Sequence, residues 1–106
     1  MGFLDFLKGA DINSGVDEFK ATPGALLLDV RTPQEYRSGH IPGSENVPLQ
    51  VIDVATGRIE AKDTPVFVYC QSGGRSSQAA AALKRMGYSC VKNIGGIASS
   101  SGTLER

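Results

Sequence analysis

Two uninterrupted apolar runs constrain the fold of this chain more than any other feature. They are Ala25-Leu26-Leu27-Leu28-Asp29-Val30 and Val66-Phe67-Val68-Tyr69-Cys70. Neither alternates apolar with polar residues, so each reads as a strand buried on both faces. A strand covered on both sides needs a layer of helices above and another below. Helix-start chemistry follows each run. After the first, Thr32 is an N-cap, Pro33 suits the first helical position and Glu35 completes a capping box. After the second, Gln71-Ser72-Gly73-Gly74 forms a loop and helix signals resume at Arg75, with Ala79, Ala82, Leu83 and Met86 on one stripe.

The rest of the chain fills in around these units. A short helix precedes the first run, with Ser14 as its cap, Asp17 and Glu18 in its first turn, and Pro23-Gly24 as its stop. Gly39 ends the helix that Thr32 starts. Glu45 to Leu49 reads as a short strand limited by Pro48. One helical turn is expected near Val51–Ala55, with a loop around Gly57. Lys84 and Arg85 suit the last turn of the helix after the second run, and Gly87 terminates it. Cys90 to Ile94 reads as the last strand, broken by Gly95-Gly96, and a Ser/Gly-rich tail follows. Strands alternating with helices give an α/β sandwich around a mostly parallel sheet.

Composition narrows the function classes. Eleven basic residues balance eleven acidic ones among 106, so the chain lacks the basic excess of a nucleic-acid binder or a polybasic membrane anchor. No stretch approaches the ~20 apolar residues of a membrane span. Two cysteines and one histidine, His40, are too few for a cysteine-built zinc site or a disulfide scaffold. The start of the chain, MGFLDFLKG, is too short and wrongly flanked for a signal peptide and lacks the Ser or Thr of a myristoylation site. Residues 1–11 therefore read as an N-terminal extension forming a short amphipathic helix, and 12–106 as one domain. A cytoplasmic, reducing compartment is the default.

Sites in open α/β sheets form at the carboxyl ends of strands. Cys70 ends one buried strand, a glycine loop follows, and a helix then begins. N–H groups of such a loop and first helical turn can form an anion nest, and the helix dipole adds to it. Both favour thiolate over thiol. Cys70 is therefore a candidate nucleophile, with a buried structural cysteine as the alternative. Gly73 and Gly74 give the loop positive φ or close approach. Ser76 is placed to cap the helix or to donate to the cysteine sulfur. Arg75 carries a positive charge where the dipole disfavours it, which argues for a functional or bracing role. Asp29 and Arg31, two apart, share a face at the same sheet edge. Asp29 reads as an acceptor bracing the loop or an arginine. Arg31 reads as a brace or a source of positive potential. Cys90 starts the next parallel strand, so it should lie about a strand length, ~17 Å, from Cys70. It is expected in the core, too far away for a disulfide.

Cys70-Gln71-Ser72-Gly73-Gly74-Arg75-Ser76 resembles the active-site loop of rhodanese-type sulfurtransferases. Leu28-Asp29-Val30-Arg31-Thr32-Pro33 with Glu35-Tyr36, then Gly39-His40-Ile41-Pro42-Gly43 and Asn46-Val47-Pro48, resembles that family's N-terminal half, and Gly95-Gly96 is also similar. The resemblance spans roughly residues 12–105. It implies a rhodanese-like three-layer sandwich. It also implies a single-domain enzyme that takes a sulfane sulfur from a donor such as thiosulfate, holds it as a Cys70 persulfide, and passes it to cyanide or a thiol. A protein could be the acceptor. No metal or organic cofactor is implied. The same resemblance assigns Gln71 to Ser76 to the substrate-binding loop, has Arg75 frame the pocket and attract the donor anion, and gives His40 a structural place.

The chain departs from the family pattern twice. It has no Trp after the Gly-Gly pair, which bears on how a C-terminal helix covers the core. Its loop is uncharged between Cys70 and Arg75, where thiosulfate users often carry Arg or Lys. Two other functions stay open at this point. Phosphatases and arsenate reductases of the same fold use five residues between Cys and Arg, against four here. A non-catalytic binding module could keep the fold alone.

Overall fold

The computed structural model describes residues 11–106. The two apolar runs become neighbouring parallel strands, β1 (Leu26–Asp29) and β3 (Val66–Cys70). A short β2 (Ser44–Asn46) lies outside β1, and β4 (Val91–Gly96) lies outside β3. Every pairing in the order β2-β1-β3-β4 is parallel.

Alternate side chains of the buried strands enter two separate cores, because successive residues point to opposite faces. Leu28, Val66, Val68 and Cys70 belong to one core, whereas Leu27, Phe67 and Tyr69 belong to the other. The first is closed by α4 (Gly74–Arg85) through Ala79, Ala80 and Leu83. It also takes in Ile52 of the 3-10 segment Leu49–Val54 and Ala55 of α3 (Ala55–Arg58). The second is closed by α1 (Ile12–Ala21) through Ile12, with Val16 and Phe19 beside it. These layers are the expected α/β three-layer sandwich. Gly15 lets α1 sit directly on β4, since a Cβ there would stand 2.3 Å from Cβ of Ile94.

The helix after β1, α2 (Pro33–Ser38), starts as its sequence predicts. Thr32 accepts from the Glu35 N–H, and the Glu35 carboxylate accepts from the Thr32 N–H. Gly39 caps its end. His40 has a structural place. Its ring stacks on Tyr36 at 3.7 Å, and its backbone exchanges two 2.8 Å hydrogen bonds with Glu105.

Several local expectations are corrected. Asp11 rather than Ser14 caps α1; the Asp11 carboxylate accepts from the Asn13 N–H and from the Ser14 hydroxyl. The second strand begins at Ser44 and stops at Asn46 rather than running to Leu49, because Val47 and Pro48 turn the chain into a 3-10 segment. Gly57 lies inside α3 instead of a loop. Gly95 and Gly96 belong to β4 rather than breaking it, and they carry its irregular register against β3. After β4 comes only the 3-10 turn Ile97–Ser99, followed by a tail without a C-terminal helix. Cys90 is exposed, not buried in the core, because it precedes β4 where the chain turns at the surface. The helix expected over residues 1–11 falls on residues outside those described, apart from Asp11.

Candidate active site

The carboxyl end of β3 delivers Cys70 to the start of α4, with its side chain 1% exposed. The loop then turns sharply. Gly73 adopts φ +105°, a left-handed value that costs a residue with a Cβ about 1–2 kcal/mol. This turn aims the Gly73 N–H at Cys70 Sγ, 3.0 Å away. From the first turn of α4, the Ser76 N–H and the Ser76 hydroxyl each reach the same sulfur at 3.4 Å. Gly74, by contrast, opens the helix with ordinary φ, and a Cβ there would meet nothing within 4 Å. Of the two loop glycines, only Gly73 is required by the backbone.

These contacts bias the sulfur toward its charged form. Burial pushes the Cys70 thiol up. Hydrogen bonds from the Ser76 hydroxyl and from the N–H groups of Ser76, Gly73 and Ser72 outweigh it, and the thiol ends below its ordinary value.

β4 forms the back of the loop. Gly96 pairs with Cys70, and a Cβ on Gly96 would stand 2.4 Å from the Gln71 carbonyl oxygen and 2.5 Å from Cα of Ser72. The Gly-Gly pair thus lets one strand lie against the backbone of the cysteine loop.

Asp29 and Arg31 form a buried pair, 0% and 4% exposed. Asp29 accepts from Arg31 Nη2 at 2.7 Å, from Nε at 3.0 Å and from the Arg31 N–H at 2.9 Å. Arg31 Nη2 also donates to the Gly39 carbonyl at 2.7 Å, and Nη1 lies 3.5 Å from the Gln71 side-chain oxygen. Both residues are braces in this geometry, and Arg31 joins β1, the end of α2 and the cysteine loop. Asn46, legible only as part of the Asn46-Val47-Pro48 motif and without a role, ties the same region by donating to the Asp29 and Arg31 carbonyls at 3.0 Å each.

Arg75 does not stand over Cys70 as an unpaired cation. Its guanidinium donates to Glu35 through Nη1 at 2.7 Å and Nη2 at 3.0 Å. That pairing holds the Glu35 carboxyl down at about 2. Glu35 was legible as a helix cap, and no local pattern signals its second partner 40 residues on. Asn93 was also missed. Its Oδ1 accepts from the Ser76 hydroxyl at 2.7 Å and from the Gly95 N–H at 3.0 Å.

The family model for the rhodanese-like domain matches residues 14–100. The chain belongs to the rhodanese-like domain family. Its relatives include a sulfurtransferase of Allochromatium vinosum, 43% identical over 75 residues, covering 71% of this chain and 69% of that protein. The thiosulfate sulfurtransferase PspE of Escherichia coli is 42% identical over 72 residues, with 66% and 68% covered. Among solved structures, a rhodanese with anions from E. coli superposes with TM-score 0.72 at 32% identity, over 77% of this chain and 98% of that one. This rhodanese-like domain is a sulfurtransferase, and the family match spans the cysteine loop just described. No helix among the described residues is long and apolar enough to cross a membrane.

Proposed function

We propose that this rhodanese-type sulfurtransferase carries sulfur on Cys70 by double displacement. The Cys70 thiolate attacks the sulfane sulfur of a donor such as thiosulfate. A new S–S bond forms, the donor S–S bond breaks, and sulfite leaves with the bonding pair. Cys70 then bears a persulfide with its negative charge on the outer sulfur. Cyanide or a thiolate attacks that outer sulfur, giving thiocyanate or a new persulfide and returning the Cys70 thiolate. Charge balances in each step, and no oxidant is consumed.

The observation that carries this reading is the convergence of loop N–H groups on the Cys70 sulfur itself. Such preformed donors stabilise the thiolate as attacking and as leaving group without reorganisation. Gln71, Ser72, Gly73, Gly74, Arg75 and Ser76 form the cradle, with Arg75 bracing it through Glu35. Asp29 and Arg31 support it from β1. The name of the E. coli relative favours thiosulfate as a donor. We place the chain in the cytoplasm, where reducing conditions keep Cys70 available for loading, with a low-molecular-weight thiol or a protein thiol as acceptor.

Steady-state assay of thiocyanate formation tests the reading. Parallel double-reciprocal lines for thiosulfate and cyanide are expected, with turnover lost in Cys70→Ser. Intersecting lines, or turnover that survives Cys70→Ser, would overturn it.

A further inference from the structure

The Ser76 hydroxyl is fully buried and has more acceptors than it can serve. Its oxygen lies 2.7 Å from Asn93 Oδ1, 3.1 Å from the Gly73 carbonyl and 3.4 Å from Cys70 Sγ. A hydroxyl has one proton to donate. Asn93 is itself held in place. Its Oδ1 accepts from the Gly95 N–H at 3.0 Å, and its Nδ2 donates to the Gly73 carbonyl at 3.4 Å. The shortest contact of the hydroxyl therefore points away from the sulfur, to a fixed side chain on β4.

We propose that Asn93 is a positioning residue for sulfur transfer: it competes with Cys70 for the Ser76 hydroxyl. When Sγ carries the thiolate charge, the hydroxyl turns to the sulfur. When Sγ is bonded to a second sulfur and the charge has moved outward, the hydroxyl returns to Asn93 Oδ1 and no buried donor is stranded. The Gly73 carbonyl at 3.1 Å also keeps this buried donor satisfied, so what Asn93 Oδ1 sets, as the shortest contact, is how strongly the hydroxyl is drawn away from the sulfur. That pull keeps the resting thiolate from being overstabilised, and a thiolate of very low basicity is a poorer nucleophile. The inference rests on the persulfide reading for its role in the cycle, but its test needs no turnover.

The charged groups around Cys70 are Arg75 of α4 with its partner Glu35 of α2, and Asp29 of β1 with its partner Arg31. Among the described residues none of these forms a hydrogen bond with Ser76 or Asn93, so changes at position 93 leave them in place.

The test is the pH dependence of Cys70 alkylation by iodoacetamide in the full chain carrying Cys90→Ser, so that one thiol reports. Asn93→Leu removes the closest competing acceptor and leaves the Gly73 carbonyl at 3.1 Å. The midpoint should fall by about 1 pH unit, the scale of one hydrogen bond to a charged group. With Ser76→Ala also present, Asn93→Leu should leave the midpoint where Ser76→Ala alone puts it. Asn93→Asp draws the hydroxyl more strongly and adds a negative charge, so its midpoint should rise, and by less when Ser76→Ala is also present; that difference decides the matter if the Leu variant does not fold. A rise with Asn93→Leu, or the same shift with and without Ser76, would overturn the proposal and show Asn93 to be a purely structural support. Neither result would bear on whether Cys70 carries sulfur, which thiocyanate formation reports separately.

Discussion

At the scale of single residues, the chain separates those that do chemistry from those that hold them. Asp29 is the clearest holder. Its carboxylate is fully buried and is matched by the Arg31 guanidinium on two sides. Removing one member of such a pair strands the other charge, at a cost of about 3–5 kcal/mol. Asp29→Ala should therefore lower the urea midpoint by that equivalent, and a loss under 1 kcal/mol would mean that Arg31 finds another partner. Sequence spacing already put both residues on one face, and that was correct. It did not extend to Cys90. An apolar reading of a strand-starting cysteine ignored that the turn before β4 lies at the surface. Asn93 was invisible for another reason: a polar residue inside a short strand announces nothing until the fold sets it 2.7 Å from Ser76.

At the scale of elements, the cysteine loop is clamped from two directions. From α2, Glu35 serves as both cap and ion-pair partner, accepting from the Thr32 N–H at 2.9 Å and from Arg75 at 2.7 Å. Its carboxyl is depressed to about 2 from an ordinary 4.5. A depressed carboxyl stabilises the fold above its unfolded value and loses that contribution as pH falls through the folded value. The Glu35 contribution is thus complete above about pH 5 and fades between there and pH 2. Both partners are about a third exposed, and solvent screening holds the effect to about 1 kcal/mol. Thermal melts of wild type and Glu35→Gln should differ at pH 6 and converge near pH 2. A constant difference across that range would contradict the assignment.

From β4, Gly96 presses on the loop backbone. Gly96→Ala would bring Cβ within 2.5 Å of Ser72 Cα and closer still to the Gln71 carbonyl. Backbone cannot yield as a flexible side chain does, so the loop must move, at about 1–3 kcal/mol. We expect sulfur transfer to fall at least tenfold, with a melting point reduced by several degrees; unimpaired turnover would mean that the loop has more freedom than its packing indicates. The Gly-Gly pair was readable as a motif. Its place within a strand was not, because glycine normally marks the end of one.

Across the whole molecule, the parallel sheet brings the carboxyl ends of β1 and β3 to one end, so Asp29 and Cys70 both lie there while Cys90 lies at the other end. That arrangement was legible from the two apolar runs and the helix starts behind them. The connection between β2 and β3 was less so, because short 3-10 turns lack a long amphipathic period. In the proposed function, Cys70 at this end of the sheet carries the transferred sulfur. Intact-mass measurement of the purified chain after thiosulfate treatment tests it most directly. Wild type should gain the mass of one sulfur atom, mapped to the peptide containing Cys70 and removed by cyanide, and Cys70→Ser should gain nothing. Sulfur found on Cys90, or no gain in a folded wild-type chain offered thiosulfate and organic persulfide donors, would contradict the account.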